Sequence, residues 1–197
     1  GQLPPVAERL PVNPLVITPP HQMGPYGGTW RRYATGPSDI QSFEARLSYD
    51  GLVRWDPMAQ RILPNLATHW DIEDSGRSFT FHLRHGVRWS DGHPFTADDI
   101  LFWYNDVLQD ADITPVIGIA YRHGGELMKV DKVDAHTVRF RFAEPNGLFL
   151  KQLASDLSYT IVGYAAHYLK QFHRNYVPEE ELARKARESG RDLWFQL

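Results

Sequence analysis

Cysteine is absent from the 197 residues, which excludes structural disulfides, Fe–S clusters, thiolate zinc sites and a cysteine nucleophile. That absence suits the cytoplasm and suits equally an exported bacterial protein built to need no disulfide. No stretch approaches the ~18 uncharged apolar residues needed to cross a bilayer, and the first residues lack the basic-then-apolar pattern of a signal peptide. A basic excess is missing as well. The 21 Lys plus Arg against 24 Asp plus Glu leave a net charge of −3, so the electrostatic footprint of a nucleic-acid binder is not there. Nor is there a G-x-S-x-G elbow, a GxGxxG loop, a Walker A lysine or an HExxH pair. Nucleophilic, nucleotide and metalloprotease chemistry therefore all lack a motif, and no cofactor or metal is expected. No repeat at a fixed period is found.

What is present is the composition of a soluble globular protein, 42% hydrophobic with 23% charged, long enough for one large domain or two small ones. Residues 1–28 hold seven of the 14 prolines and show no period of 2 or 3.6. They read as an extended arm. Its apolar residues, among them Leu3, Val6, Leu10, Val12, Leu15, Val16 and Ile17, are too many for a free tail, so the arm is expected to pack on a domain spanning 29–197.

Within that domain, Trp30 and Tyr33 suggest a short strand over 29–33, and Thr35-Gly36-Pro37-Ser38-Asp39 must be a loop. Ile40, Phe43 and Leu47 at helical spacing predict a helix over 40–49, capped by Ser38 or Asp39. Leu52 to Trp55 reads as a strand. The clearest β signal is a hairpin at 69–84, with Phe79, Phe81 and Leu83 on one face and Ser78, Thr80, His82 and Arg84 on the other. A further strand is expected at Val87-Arg88-Trp89. Thr96, with Asp99 three residues on, opens a helix over 97–109 whose stripe is Ile100, Trp103, Tyr104, Val107 and Leu108. A second hairpin pairs 127–133 with 137–142. Helices are expected at 148–155, 165–172 and 179–189, and a strand at Tyr159 to Val162. The apolar end, Leu193 to Leu197, carries no cap or polar tail, predicting exposed apolar surface, self-association or C-terminal disorder, and a chain that continues beyond Leu197.

The candidate chemistry is sparse. His82 and His85 share no face and read as solvated histidines. Asp98 and Asp99 point about 100° apart on a helix, so they cannot share a proton, and capping explains both. Asp110-Ala111-Asp112 lacks the spaced ligands of a calcium loop and reads as a helix-end turn. Trp30, Trp70 and Trp103 lie on the apolar sides of their elements, which favours core over a stacking platform.

The order of pieces is more telling: Tyr49-Asp50-Gly51-Leu52-Val53-Arg54-Trp55-Asp56, then Leu63-Pro64-Asn65-Leu66-Ala67-Thr68-His69-Trp70, then the unbroken phrase from Phe79 to Asp99. This arrangement resembles the family 5 extracellular solute-binding proteins of bacterial ABC importers, the dipeptide, oligopeptide and nickel binding class. Val130 to Pro145 is similar too, and the likeness runs from about Gly27 to about Leu169. It implies a mixed α/β fold, the first lobe of a two-lobed periplasmic binding protein type II fold, with antiparallel hairpins and flanking helices. It implies a receptor, periplasmic or extracellular and in some members lipid-anchored, that clamps a solute (oligopeptide, oligosaccharide or metal chelate) and hands it to a membrane permease. Family members are longer, so the second lobe is not in this chain, and an isolated half should hold ligand poorly. The resemblance also sets cleft-facing positions at Thr35, Gly36, Pro37, Ser38 and Asp39, and around Pro115 and Val116, with Tyr121 nearby. Gly36 allows close backbone approach, while Ser38 and Asp39 offer a hydroxyl and a carboxylate to an amine or a sugar hydroxyl; capping by Ser38 or Asp39 is the competing use. Two other readings stay open: an enzyme of unknown class, such as a hydrolase using loop aspartates, and a signalling receptor built on a binding-protein fold.

Overall fold

The computed structural model describes residues 5–19, 21–25, 27–29, 31–39, 50–155 and 157–197. The helix expected over 40–49, and Trp30 with its expected core position, lie outside the described residues. Among the described residues the strands are β1 Val53–Trp55, β2 Ile62–Pro64, β3 Ala67–Glu73, β4 Ser78–Leu83, β5 Arg122–His123, β6 Glu126–Leu127, β7 Lys129–Asp134 and β8 Thr137–Arg141. β3, β4, β8 and β7 form a four-stranded sheet in that spatial order, antiparallel throughout. β1 with β2, and β5 with β6, make two small antiparallel ribbons.

Both expected hairpins are there. In β4, Phe79, Phe81 and Leu83 turn to the buried face; Val138 and Phe140 of β8, with Phe142 just beyond it, meet them. Phe149 closes this layer, its ring 5.1 Å from Phe79, 5.5 Å from Phe140 and 4.8 Å from Phe142. Edge-to-face pairs of this kind add about 0.5–1.5 kcal/mol each beyond area burial. The other face of β4 is polar but not open, since Ser78 and Thr80 are buried. Arg84, expected to face outward with them, is buried too. Its Nε donates to the Asn65 carbonyl at 3.1 Å and its Nη1 to the Asn13 carbonyl. A guanidinium goes inside when backbone carbonyls there take its protons.

Among the described residues the α-helices with stated bounds are α1 Val6–Arg9, α2 Ala97–Phe102, α3 Phe149–Leu153, α4 Leu157–Val162, α5 Ala166–Leu169 and α6 Glu179–Glu188. α2 starts as its sequence requires: the Thr96 side chain accepts from Asp98 N–H while Asp99 reaches back to the Thr96 amide at 2.9 Å. The expected helix over 97–109 does continue, but Trp103–Leu108 winds as a π-helix. An α-helix at ~100° per residue would put Leu108 about 140° from Trp103. The wider i→i+5 turn brings the two toward one side, and Trp103, Val107 and Leu108 are all buried.

Four expectations are corrected. Tyr159 to Val162 is helical, within α4; an apolar run of this length without alternation fits a buried helix as well as a strand. Residues 31–34 do not form a strand, and Tyr33 is almost wholly exposed. Val87-Arg88-Trp89 makes only a single bridge, Arg88 to Pro94, because the turn returns at once through Trp89 N–H to His93 O. The arm touches the body at residues 11–13 but leaves Val12, Val16 and Ile17 exposed, and it contains the one-turn helix α1. At the far end Gly190, with φ +68°, terminates α6 as a left-handed residue should. Phe195 and Leu197 remain exposed, while Trp194 packs edge-on against His173. Among the described residues no helix is long and apolar enough to cross a membrane.

Candidate functional site

Thr35–Asp39, expected to be a loop, is irregular only over Thr35–Pro37, since Ser38 and Asp39 are already helical, and the segment closes on itself. The Asp39 amide donates to the Gly36 carbonyl at 3.1 Å. Its Oδ2 accepts from the Thr35 amide at 2.6 Å and from the Thr35 hydroxyl at 2.9 Å. These donors, the Thr35 amide first, hold the Asp39 carboxyl below the usual carboxylate range, so it is ionised at neutral pH. The described bonds of Asp39 thus run back to Thr35. Pro37 and Ser38 are exposed, and Gly36 is half-buried.

Sequence reasoning missed a neighbour. Tyr33 is 97% exposed, two residues before this loop. Trp30 and Tyr33 suggest only a short strand in the sequence. The signal against that was the pair Arg31-Arg32 between them, which leaves no apolar partner at period 2.

The second segment divides in two. Pro115 is exposed, and Val116 and Ile119 are 83% and 88% exposed. Tyr121, by contrast, is anchored. Its ring lies 5.4 Å from that of Trp103, its carbonyl accepts from Met128 N–H at 2.9 Å, and its hydroxyl lies 2.7 Å from Thr160 Oγ1. Thr160 has one proton, and that goes to the Leu157 carbonyl at 2.6 Å. Tyr121 must therefore be the donor to Thr160, and its phenol oxygen keeps only acceptor capacity for anything else. The described contacts hold each segment to its own neighbours: Thr35–Asp39 to itself, Tyr121 to α4 and the π-helical turn.

The remaining polar groups are engaged structurally. Asp98 pairs with Lys132 at 2.7 Å. Asp99 is buried and accepts at its other oxygen from the Ala166 amide at 2.9 Å, fixing the start of α5 to the start of α2. Asp110 and Asp112 grip Arg174, with Nη2 to Asp110 and Nη1 to Asp112 both at 2.6 Å. Burial alone would raise the Asp110 carboxyl, but the Arg174 hydrogen bonds prevail and hold it below its ordinary value. Asp106, buried on the π-helical turn, accepts from Asn175 Nδ2 at 2.8 Å and Tyr176 Oη at 2.9 Å. His173 is tied into this network: its Nδ1 accepts from Asn175 N–H, and its Nε2 lies 2.8 Å from the Asp106 carbonyl. Among the described residues no group of three or more histidine, aspartate or glutamate side chains is placed to hold a metal ion. A cavity of about 180 Å³ opens at one end of the main sheet, lined by Arg77, Lys129 and Arg141 with Asp74 and Glu126. Two of its cations are already neutralised, Arg77 by Asp74 and Arg141 by Asp131, each at 2.6 Å. None of the expected site residues lines it.

Comparison with known proteins gives a consistent result. The family model for bacterial extracellular solute-binding proteins, family 5 (middle), matches residues 61–188. A periplasmic alpha-galactoside-binding protein of Rhizobium meliloti (strain 1021) is 35% identical over 196 residues, covering 89% of this chain and 28% of that protein. Di/tripeptide-binding protein 1 of Pseudomonas aeruginosa (strain UCBPP-PA14) is 30% identical over 161 residues, covering 75% of this chain and 30% of that protein. Among solved structures, the oligopeptide-binding protein OppA superposes with a TM-score of 0.85 at 44% identity, covering 98% of this chain and 29% of that one. The chain thus spans less than a third of the length of these relatives.

Proposed function

From the premise that this chain belongs to the bacterial extracellular solute-binding proteins of family 5, we propose that it forms part of the substrate-capturing component of an ABC importer. Its ligand is a peptide-like solute, released to a permease in the membrane. Residues 29–197 contribute the bulk of a first lobe, residues 1–28 an arm lying on it, and the protein works outside the cytoplasmic membrane, free in the periplasm or held by a lipid anchor. The observation that carries this reading is the correspondence of nearly the whole chain to one segment of an oligopeptide-binding protein.

The ligand meets the chain at Thr35–Asp39 and at the 115–121 segment. The Asp39 carboxylate, ionised and pre-ordered by Thr35, suits a peptide ammonium or a backbone N–H. On the other segment, Val116 and Ile119 are exposed and supply apolar contact. A second reading, an oligosaccharide, is favoured by Tyr33, an exposed ring two residues before this segment of the kind that stacks on sugar faces, and the relative from Rhizobium meliloti is named for alpha-galactosides.

A thermal-shift screen of the full-length protein against di- to pentapeptides, galactosides and metal chelates tests both readings. A ligand at 100 times its Kd stabilises by about 2.7 kcal/mol, so the class that shifts the melting temperature is the ligand class. Asp39→Ala then locates the site: affinity weakened about tenfold or more with an unchanged melting temperature marks a ligand contact, and unchanged affinity removes Asp39 from it.

A further inference from the structure

Of the five asparagines in the chain, one precedes a glycine, in Asn146-Gly147. That pair has a chemistry of its own. The amide nitrogen of the following residue can attack the side-chain carboxamide carbon, and glycine, with no Cβ to crowd the approach, permits this most readily. A bond forms between Gly147 N and Asn146 Cγ, the Cγ–Nδ2 bond breaks, and ammonia leaves with the proton that the Gly147 amide gives up. The product is a five-membered succinimide. Water then adds at one of its two carbonyl carbons and opens the ring, either to aspartate or to isoaspartate, whose main chain runs through the side-chain carbons and is one atom longer.

The fold holds this pair away from the attack. Asn146 is 5% exposed, in the turn between β8 and α3. Its amide donates to the Gly76 carbonyl at 2.9 Å, its carbonyl accepts from Phe149 N–H at 3.3 Å, and its Oδ1 accepts from Leu148 N–H at 3.3 Å. Ring closure needs the carboxamide carbon presented face-on to Gly147 N at the spacing of reacting atoms. Turning the carboxamide that way gives up the Leu148 bond, and pivoting the Asn146–Gly147 peptide toward it pulls on the bonds to Gly76 and Phe149. Phe149 in turn is seated among Phe79, Phe140 and Phe142, so the core resists that movement.

We propose that Asn146 is a site of spontaneous deamidation that the native turn keeps closed, and that its conversion records the time the chain has spent with this turn open. The two products have different fates. Aspartate keeps an oxygen for Leu148 N–H. Isoaspartate lengthens the main chain between the Gly76 and Phe149 hydrogen bonds by one atom and cannot keep both in their native geometry, so it bars the return of Phe149 to its seat.

The test incubates the full-length protein in mildly alkaline buffer, either folded or unfolded in guanidinium chloride, and follows the tryptic peptide between Arg141 and Lys151, in which Asn146 is the one asparagine. Conversion is read from the mass gain of amide to acid, and isoaspartate from methylation by an isoaspartyl methyltransferase. The folded protein converts at least tenfold more slowly than the unfolded, the change set by an opening that costs about 1.4 kcal/mol. Gly147→Ala, whose added Cβ meets no atom within 4 Å in the folded chain, slows conversion severalfold in denaturant by crowding the attack. When protein aged in denaturant is refolded, isoaspartate is depleted from the folded fraction. Equal rates in the folded and unfolded protein overturn the closed turn. No conversion in denaturant, or a rate there unaffected by Gly147→Ala, overturns the site. Isoaspartate as abundant in the refolded fraction as in the aged chain overturns the bar to refolding.

Discussion

Two adjacent aspartates at the start of α2 have opposite structural weights, and Asp99→Ala against Asp98→Ala measures the difference. Asp99 is 4% exposed and spends both oxygens on backbone amides, Thr96 N–H and Ala166 N–H, each at 2.9 Å. Removing the half of the capping box that it supplies costs about 0.5–1 kcal/mol. Removing a buried hydrogen bond to a charged group costs about 1.5–3 kcal/mol, because the Ala166 amide is left unpaired. Relief of the buried carboxylate's desolvation returns part of this, so a net loss of about 2–3 kcal/mol is expected. Asp98 holds only Lys132, in an ion pair with 61% and 38% of the two side chains exposed. Solvent screening puts its loss near the low end of about 0.2–1 kcal/mol. Urea unfolding of the full-length variants at constant m-value reads the ratio directly, and hydrogen exchange at Ala166 localises it. Asp99→Asn recovers only part, since its amide nitrogen must face one of the two N–H donors. Equal destabilisation by the two alanine variants, or an Ala166 amide still protected in Asp99→Ala, refutes the reasoning.

Phe149→Ala empties a fully buried ring site contacted by Phe79, Phe140 and Phe142; a loss of about 3–5 kcal/mol is expected in urea unfolding, and less than half of that would mean the sheet collapses onto the gap. Arg174→Gln leaves the burial of Asp110 opposed only by the Asp112 and Ile113 amides: much of the stability that Asp110 contributes in the parent, complete above its unfolded value and lost as pH falls through its lowered folded value, disappears. The acid-unfolding midpoint, followed by circular dichroism, should move to higher pH, and an unmoved midpoint would discount the clamp. The Tyr176 hydroxyl is pushed up to about 12 by burial and by its bond to Asp106, so Tyr176→Phe should not change the number of tyrosinates detected by ultraviolet absorbance up to pH 11; one fewer tyrosinate would place Tyr176 in solvent.

The parts of the fold visible in the sequence are those specified by neighbours along the chain. Alternation along Phe79 to Leu83 and along Val138 to Phe142 sets which face of each strand is buried, and Thr96 with Asp99 starts α2 wherever it packs. The misread parts are those decided by distant residues. Arg84 goes inside because Asn65 and Asn13 carbonyls await it, and Ile161 and Val162 are buried by a helix rather than a strand through contacts that their own sequence does not encode. For the candidate site, a Gly-Pro turn followed by serine and aspartate marks a loop, yet the closure of Asp39 onto Thr35 depends on backbone geometry. Tyr33 escaped because the aromatic residues at 30 and 33 outweighed the Arg31-Arg32 pair between them, which argues against a half-buried strand. Tyr121 is named in the sequence only as a neighbour of the 115–116 stretch, whereas Thr160, 39 residues away, takes the proton of its hydroxyl.

The spatial order β3-β4-β8-β7 also dictates a timetable for synthesis. β4 finds β3 within the same few residues of chain, but its other neighbour, β8, begins at Thr137, more than 50 residues after Leu83. At ~5–20 residues per second, a ribosome needs roughly 3–10 s to deliver that partner. During the interval the inner edge of β4 is an unpaired template, and Phe79, Phe81 and Leu83 lack the aromatic layer that later covers them. The nascent chain is therefore most exposed to mispairing between the emergence of Leu83 and that of Phe142, and a holding chaperone acting in translation or export would find its binding segment there.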